Sequence, residues 1–291
     1  MIVRRVNVIG SRIGESASIW GFPESFLWRG AIRLRETVAQ QGSGDSRRQQ
    51  AEATQFIFPV FRSPPWRRSE LEEQYFTPEL FKFLRDLRKN NNREWFQANK
   101  QRYEENVQGP ALHFIKDLAP HLHMVSPYLV ADPKPMGGSL FRIYRDIRFS
   151  KDKTPYKTHV AAHFSHKDAK MEGFGYYLHL EPGSSSGGGG LWHPGTPALT
   201  MVRKNIAGNP ERWKEARNGI KIQGESLKRP PQGYNPEHPF IKDLKRKDLY
   251  AMFPIPEQTV CSTDFPAKFA EQCAKITPLM SFLAKSTALP W

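Results

Sequence analysis

Three segments in the middle of the chain alternate between apolar and polar residues, at 140–149, 158–165 and 174–181. Alternation with a period of two is typical of β-strands, in which successive side chains point to opposite faces. The polar turn at 166–170 separates the second segment from the third, so this pair predicts an antiparallel hairpin. These segments constrain the chain to form a sheet with one polar face.

Helix signals lie on both sides of the strand segments. Thr77, Pro78 and Glu79 form a helix start, with an N-cap residue, a proline in the first turn and an acid after it. Apolar residues then recur at helical spacing, and the asparagines at 90–92 separate this first helix from the next. Helical spacing continues after Gly109 and Pro110 with Leu112, Ile115 and Leu118. Further predicted elements are helices at 197–206, 209–217 and 266–284, and a short strand within 249–261. The order of elements predicts an α+β fold, with a mainly antiparallel sheet flanked by N-terminal and C-terminal helices.

Two other segments have a biased composition. Serine and glycine fill 184–190, which predicts a flexible hairpin loop. Residues 1–74 contain eleven arginines and no lysine and show no sustained period, so we expect a poorly ordered extension there and a single α+β domain at 75–291. The extension is open to three interpretations: a disordered tail, a start site assigned too far upstream, or a mitochondrial transit segment.

The charge balance favours an anionic partner. The net charge of +14 suggests a phosphate-bearing ligand or nucleic acid, although the basic residues are spread along the chain, as on a solvated basic surface. Cys261 and Cys273 belong to no CxxC pair, which disfavours a disulfide framework and a thiolate zinc site. No apolar run is long enough for a transmembrane helix, and we expect an intracellular, cytoplasmic protein, with mitochondrial targeting as the alternative.

The first alternating segment carries the candidate site. Its alternation places Arg142, Tyr144, Asp146 and Arg148 on one face, and its other face is apolar except for Arg145. If the hairpin lies beside this segment, the polar residues of the hairpin extend the same surface. Guanidinium groups and lysines bind phosphate or carboxylate, and the loop that follows is rich in lysine. The predicted ligand-binding residues are Arg142, Tyr144, Asp146, Arg148, Lys153, Tyr156, Lys157, Tyr177 and Glu181.

The same residues allow other interpretations. His163, His179 and Glu181 could meet across the hairpin and hold zinc or iron, although their spacing matches no metal motif. The polar face could instead be an ordinary solvated sheet face, with its arginines in salt bridges. Arg145 indicates either a bulge that redirects it or a buried ion pair with an acid. No nucleotide-binding or serine-nucleophile motif is present, and the sequence indicates no cofactor.

The most distinctive segments of the chain are 91–96 (NNREWF), 141–157 (FRIYRDIRFSKDKTPYK), 176–183 (YYLHLEPG), 189–192 (GGLW) and 244–248 (LKRKD), together with the helix of Arg203. In these segments the chain resembles the family called domain of unknown function 2461. The resemblance covers about residues 76–288, and residues 1–74 lie outside it. It implies a single domain and marks the segment at 142–157 as the family's signature, but it implies no activity and no catalytic residue.

The leading hypothesis is a soluble α+β domain that binds a phosphate-bearing anion. The basic residues expected to hold the anion are Arg142, Arg148, Lys153 and Lys157. One alternative is an enzyme that uses the two histidines and the glutamate of the hairpin as a metal or acid–base site. The other alternative is a purely structural or interaction module, and the sequence does not decide whether the protein is an enzyme.

Overall fold

A four-stranded antiparallel sheet forms the centre of the computed structural model, which describes residues 74–169 and 173–291. Its strands are adjacent in chain order: β1 (Val160–Ser165), β2 (Phe174–Leu180), β3 (Ser186–Leu191) and β4 (Leu249–Pro254). The predicted hairpin of β1 and β2 and the predicted short strand β4 are confirmed. Together with the helices that follow, this sheet confirms the predicted α+β fold.

Of the helices before the sheet, the first two begin where the capping residues predicted. The helices before the sheet are α1 (Pro78–Lys89), α2 (Arg93–Ala98), α3 (Lys100–Tyr103) and α4 (Gly109–Val125). The Thr77 side chain accepts a hydrogen bond from the Glu79 N–H at 3.3 Å, and Asn92 Oδ1 accepts one from the Trp95 N–H at 2.8 Å. These side chains satisfy backbone donors that have no partner within their helices. A π-helical turn, Glu104–Gln108, joins α3 to α4.

The remaining helices follow the third strand of the sheet. They are α5 (Thr196–Gly208), α6 (Pro210–Ala216), α7 (Ile241–Leu244), α8 (Glu257–Val260), α9 (Phe265–Lys275) and α10 (Thr277–Ser286). The single helix predicted for 266–284 is therefore wrong, because the helical path is interrupted at Ile276. Pro278 explains the interruption, since proline donates no backbone hydrogen bond and its ring clashes with the carbonyl four residues earlier.

The prediction of a flexible loop at 184–190 is also wrong, because this segment forms the inner strand β3. β3 pairs with β2 on one side and with β4 on the other. A Cβ atom at Gly189 would lie 2.6 Å from the ring of Tyr176, so glycine lets this ring pack directly on the strand backbone. At Gly190, where φ is 151°, a Cβ atom would collide with the carbonyl oxygen of Leu249. Glycine in this strand therefore permits close packing rather than flexibility.

One face of the sheet packs against α9 and α10, and α4 packs against α9, to form the main core. The rings of Phe114 and Phe265 stack at 4.9 Å, which joins α4 to α9. The Tyr176 hydroxyl, from β2, donates a hydrogen bond to the carbonyl of Cys273 at 3.0 Å. This buried phenol therefore has a polar partner, as burial requires.

The opposite face of the sheet is covered as well, by a smaller apolar cluster. Its members are Ala161, Tyr177 and Tyr250, with Phe141, Trp192 and Met252 packed against them. Phe141 belongs to the loop that precedes β1, so this loop lies over the second face of the sheet. The second face of the sheet is therefore apolar and covered where the alternation predicted a polar face, and the alternative of an ordinary solvated face does not apply to it.

A buried carboxylate fixes α6 to α7. Asp243 is 2% exposed and accepts a hydrogen bond from the indole Nε1 of Trp213 at 2.9 Å. The guanidinium of Arg217 pairs with the same carboxylate, and Arg246 Nε lies 3.5 Å from its second oxygen. The charge of Asp243 is thus paired, which is the condition for a stable buried carboxylate.

Within the described part of the chain, no helix is both long enough and apolar enough to cross a membrane. The extension predicted for residues 1–74 lies outside the described residues, apart from Gln74. The prediction of a single domain at 75–291 stays a prediction.

Candidate functional site

The segment at 140–149, predicted as a strand, is the outgoing arm of a long loop. We call residues 142–157 the basic loop. Its two arms are joined by single bridges: Tyr144 pairs with Tyr156, and the Lys157 N–H donates to the carbonyl of Ile143 at 2.8 Å. The strand prediction is wrong because the ladder does not continue beyond these points. Pro155, on the returning arm, has no N–H to donate to such a ladder.

The predicted alternation holds only near the start of the loop. Ile143 is buried, while Arg142 and Tyr144 on either side of it are exposed, as the pattern predicted. Further along, Phe149 was expected on the core face but is 81% exposed. The periodicity fails there because the chain turns back and no neighbouring strand holds it flat.

Two arginines of the basic loop pair with acids of the same loop. Arg145 forms an ion pair with Asp152 and a hydrogen bond with Thr154, which closes the loop across its tip. Arg148 pairs with Asp146 at 2.6 Å. Arg145 therefore lies at no β-bulge and pairs with no buried acid, contrary to both interpretations of the sequence. Arg145 and Arg148 both have acidic partners within the basic loop.

The two acids are held in their charged forms. Hydrogen bonds from Arg148 lower the pKa of Asp146 to about 2. The backbone N–H of Thr154, and then the side chain of Arg145, lower the pKa of Asp152 to about 2. Charged acceptors that already have donors are stable as carboxylates. We infer that Asp146 orients Arg148 and is not free to act as a base.

The returning arm docks on the turn between α1 and α2. Asn91 makes two hydrogen bonds with the backbone of Tyr156, at 2.9 and 3.1 Å. The Tyr156 ring stacks on Phe96 at 4.1 Å and is only 2% exposed. Tyr156, predicted as a ligand-binding residue, is therefore part of the core. Its neighbour Lys157 is positioned by this docking.

Lys157 is a buried cation without a counter-ion. Its side chain is 8% exposed, and its Nζ donates to the carbonyl oxygen of Arg142 at 3.0 Å. The ring of Phe141 lies 5.4 Å from Nζ. Among the described residues, no carboxylate lies within ion-pair distance of Lys157. Burial first, and then the nearby charge of Arg142, lower its pKa to about 8.

His159 lies two residues after Lys157, just before β1. Burial, then the proximity of His179 and of Lys157, lower the pKa of His159 to about 3, so its ring is neutral. Its Nε2 is buried and has no hydrogen-bond partner in the described structure. The ring borders a cavity of about 10 Å³, which has room for about one water molecule. Gln108 of the π-helical turn also lines this cavity.

A hydrogen-bonded row lies beside these residues on β2. His179 Nδ1 lies 3.2 Å from the Tyr177 hydroxyl, and His179 Nε2 lies 3.0 Å from Glu181. The second carboxylate oxygen of Glu181 accepts a hydrogen bond from Arg88 at 2.7 Å. The centroids of the His159 and His179 rings are 4.4 Å apart, so the hydrogen-bonded row contacts the histidine that follows Lys157 by two residues.

The charges in this row follow from its contacts. The hydrogen bond with His179 lowers the pKa of Glu181 despite its partial burial. Burial raises the pKa of Tyr177, whose side chain is fully buried on β2. His179 is held in a defined orientation because both of its ring nitrogens have a hydrogen-bonding partner.

The three residues of the metal alternative do not come together as a metal site. His163 lies on β1 opposite Tyr177, and burial lowers its pKa to about 4. His179 and Glu181 contact each other, as described above. No group of three or more His, Cys, Asp or Glu side chains in residues 74–169 and 173–291 is arranged to hold a metal ion.

The remaining candidates lie on the outside of the basic loop. The Lys153 Nζ donates to the carbonyl of Ile147 at 2.9 Å, and Lys153 is exposed. Arg142 is exposed, and its guanidinium makes no hydrogen bond or ion pair among the described residues. Sequence reasoning missed Arg88 and Gln108, and nothing in the sequence around them marks them. His159 was not among the predicted ligand-binding residues, although its position two residues after Lys157 was a usable signal.

Comparison with known proteins gives one match. A family model described as "Conserved hypothetical protein (DUF2461)" matches residues 79–282, a range that includes the basic loop and all four strands. No curated protein and no solved structure matches the chain.

Proposed function

The chain belongs to this DUF2461 family, and because the family's description names no activity, we propose from the site alone that the protein binds a phosphate-bearing anion. The anion would contact Arg142 and Lys157, at the base of the basic loop. The observation that carries this proposal is the buried ammonium group of Lys157, which has one carbonyl partner and no carboxylate near it.

A buried charge without a partner is unfavourable, on the order of several kcal/mol, because it has lost its water and gained no opposite charge. A bound anion would supply that charge. Arg142 stands beside Lys157, close enough for its charge to lower the lysine's pKa. Two cations that repel each other in the free protein would both be attracted to one anion between them. A guanidinium can also bind two phosphate oxygens at once.

The rest of the basic loop supports this proposal. Residues 142–157 contain six basic and two acidic residues. Both acids already pair with Arg145 and Arg148, so their negative charges are largely offset near an incoming anion. These pairs also hold the loop in shape, which reduces the ordering that a ligand must impose.

Isothermal titration calorimetry with inorganic pyrophosphate tests the proposal. We expect Lys157→Met and Arg142→Gln each to weaken binding by about tenfold or more, as charge-assisted contacts do. Lys214→Met is the matched control, because it removes the same charge from an exposed lysine whose only described partner is Glu211 at 3.7 Å. Equal affinity in Lys157→Met and Lys214→Met, or no binding by the wild-type protein, would refute the proposal.

A nucleic-acid ligand is a second candidate, favoured by the tip of the basic loop. Phe149 is 81% exposed, and the guanidinium of Arg148 lies 5.7 Å from its ring. Exposed aromatic rings among basic residues stack on the bases of single strands. The test is the anisotropy of a fluorescent single-stranded oligonucleotide at several salt concentrations. Steep loss of affinity with salt and weaker binding by Phe149→Ala are expected, whereas unchanged binding by that variant would exclude this role.

A further inference from the structure

We propose that Lys157 is an amine nucleophile, which forms an imine with a small aldehyde or ketone that carries a carboxylate or phosphate group. The inference rests on the proposed function, because Arg142 would hold the acid group of the same ligand. It assigns Lys157 a covalent role in addition to its charge. The geometry that supports it is the placement of one amine, one guanidinium and one neutral histidine at the base of the basic loop.

Lys157 differs from the other described lysines in its surroundings. Among the residues that the structure describes, it is the only lysine that is buried. Lysines that act as nucleophiles are desolvated, or lie beside another cation, because both conditions favour the neutral amine. Lys157 meets both, being covered by Phe141 and placed near Arg142. Its pKa of about 8 gives it a substantial neutral fraction under mildly basic conditions.

The hydrogen bonding of Lys157 leaves its lone pair available. Nζ donates one hydrogen to the carbonyl of Arg142 at 3.0 Å. A neutral amine has a second N–H and one lone pair, and a carbonyl oxygen accepts a hydrogen without occupying that lone pair. The contact therefore orients the amine and does not block its attack on a carbonyl carbon.

The reaction needs no additional reagent. The Lys157 nitrogen attacks the carbonyl carbon, a C–N bond forms, and the electron pair of the C=O bond moves to oxygen. One proton passes from nitrogen to that oxygen, giving a carbinolamine. A second proton passes from nitrogen to the hydroxyl, the C–O bond breaks, and water leaves as the C=N bond forms. Amine and carbonyl compound thus give imine and water.

His159 is a neutral neighbour of Lys157. Its pKa of about 3 makes it too weak a base to take up these protons, which pass between nitrogen and oxygen directly or through water, and its buried Nε2 has no hydrogen-bond partner in the described structure. The proximity of Lys157 is one cause of its lowered pKa. On its other side, His179 is oriented by Tyr177 and Glu181 and packs against the His159 ring. His159 is thus a neutral ring in a fixed position, which adds no positive charge beside the amine.

The substrate class follows from the burial of Lys157 and the charge of Arg142. Lys157 is 8% exposed and lies against the ring of Phe141, so the reacting end of the substrate must be small. Arg142 is exposed, so the acid group would stay at the mouth of the site while the carbonyl carbon reaches Lys157. A two- or three-carbon oxo acid, or a short phosphorylated aldehyde, fits this description.

The test treats the full chain with glyoxylate and sodium borohydride, which reduces an imine to a stable adduct, and locates the label by peptide mass spectrometry. We expect label on Lys157 several-fold above that on the exposed Lys151 and Lys153. Arg142→Gln should reduce the label on Lys157, and benzaldehyde, which has no acid group, should not label it. If the exposed Lys151 and Lys153 are labelled more than Lys157, the label depends on exposure alone and the proposal is overturned.

A second variant separates this proposal from anion binding. Lys157→Arg keeps the positive charge but cannot form an imine, so it should retain pyrophosphate binding and lose the label at position 157. Circular dichroism confirms that the variant is folded. If the wild-type protein binds pyrophosphate but Lys157 is not labelled, the proposal of a nucleophilic lysine is overturned and the proposal of an anion site stands. Label on Lys157 without pyrophosphate binding overturns the anion site alone.

Discussion

Replacement of Lys157 by methionine should stabilise the protein, although it removes a hydrogen bond. The pKa of Lys157 falls from 10.5 to about 8, mainly because the side chain is buried. At about 1.36 kcal/mol per pKa unit, the charged form is destabilised by about 3 kcal/mol in the folded state. Methionine has a similar length and no charge, so the variant avoids this cost. The lost hydrogen bond to the Arg142 carbonyl offsets about 1–2 kcal/mol of the gain.

The expected net gain is about 1–2 kcal/mol near neutral pH, and it depends on pH in a defined direction. The folded pKa of Lys157 lies below the unfolded value, so the unfolded chain binds more protons between about pH 8 and 10.5. Wild-type stability therefore rises with pH across this window. The Lys157→Met protein lacks that rise, and its advantage should shrink until only the lost hydrogen bond remains.

Urea unfolding of both proteins at about pH 7 and about pH 10 measures this difference. Lys214→Met is again the control, because its lysine is exposed and its stability difference should stay within about 0.5 kcal/mol at both values. Destabilisation of Lys157→Met by more than about 2 kcal/mol at neutral pH would show that the charge is compensated. An advantage that is equal at both pH values would show that charge is not its cause.

Three other predictions concern buried groups. In thermal unfolding, Gly190→Ala should destabilise the protein by about 2 kcal/mol or more, because the added Cβ atom would collide with backbone atoms. Gly208→Ala is the control and should be near neutral, because nothing lies within 4 Å of its added atom. Asp243→Asn should cost about 2 kcal/mol, because it removes the buried counter-ion of the half-buried guanidinium groups of Arg217 and Arg246. Urea unfolding that matches the wild type would contradict this. Burial raises the pKa of the Cys273 thiol, so a native-state thiol titration should modify Cys261 first, and equal rates at the two would show that α9 opens readily.

The fold was predictable from the sequence where neighbouring residues alone decide the structure, through the alternation of apolar side chains or through helix capping. The hairpin of β1 and β2 followed from alternation, and the start of α1 followed from Thr77 and Pro78. β3 could not be predicted in this way, because a strand of glycines has no side-chain period. Its position is decided by the hydrogen bonds of its two neighbours and by the rings that need room beside it.

The site was predictable in part. The sequence marked Arg142 and Lys157 as ligand-binding residues, and the structure brings the two together. It could not reveal that Lys157 is buried, because that depends on Phe141 folding over the second sheet face. The alternation of apolar and polar residues in a segment also cannot show whether another strand pairs with that segment. For this reason the segment at 140–149 was predicted as a strand, although it makes only isolated bridges.

The glycines of β3 have a consequence for how the domain assembles. A strand without side chains carries little information about its own register, so both neighbours must be present before its alignment is unique. β2 is close in the chain, but β4 arrives only after residues 192–248 have been placed, and closing such a long loop is slow. We expect β3 to become ordered last, at the moment when the two halves of the sheet meet. The amide hydrogens that pair β3 with β4 should therefore exchange with solvent when these two halves separate, at a free energy below that of global unfolding.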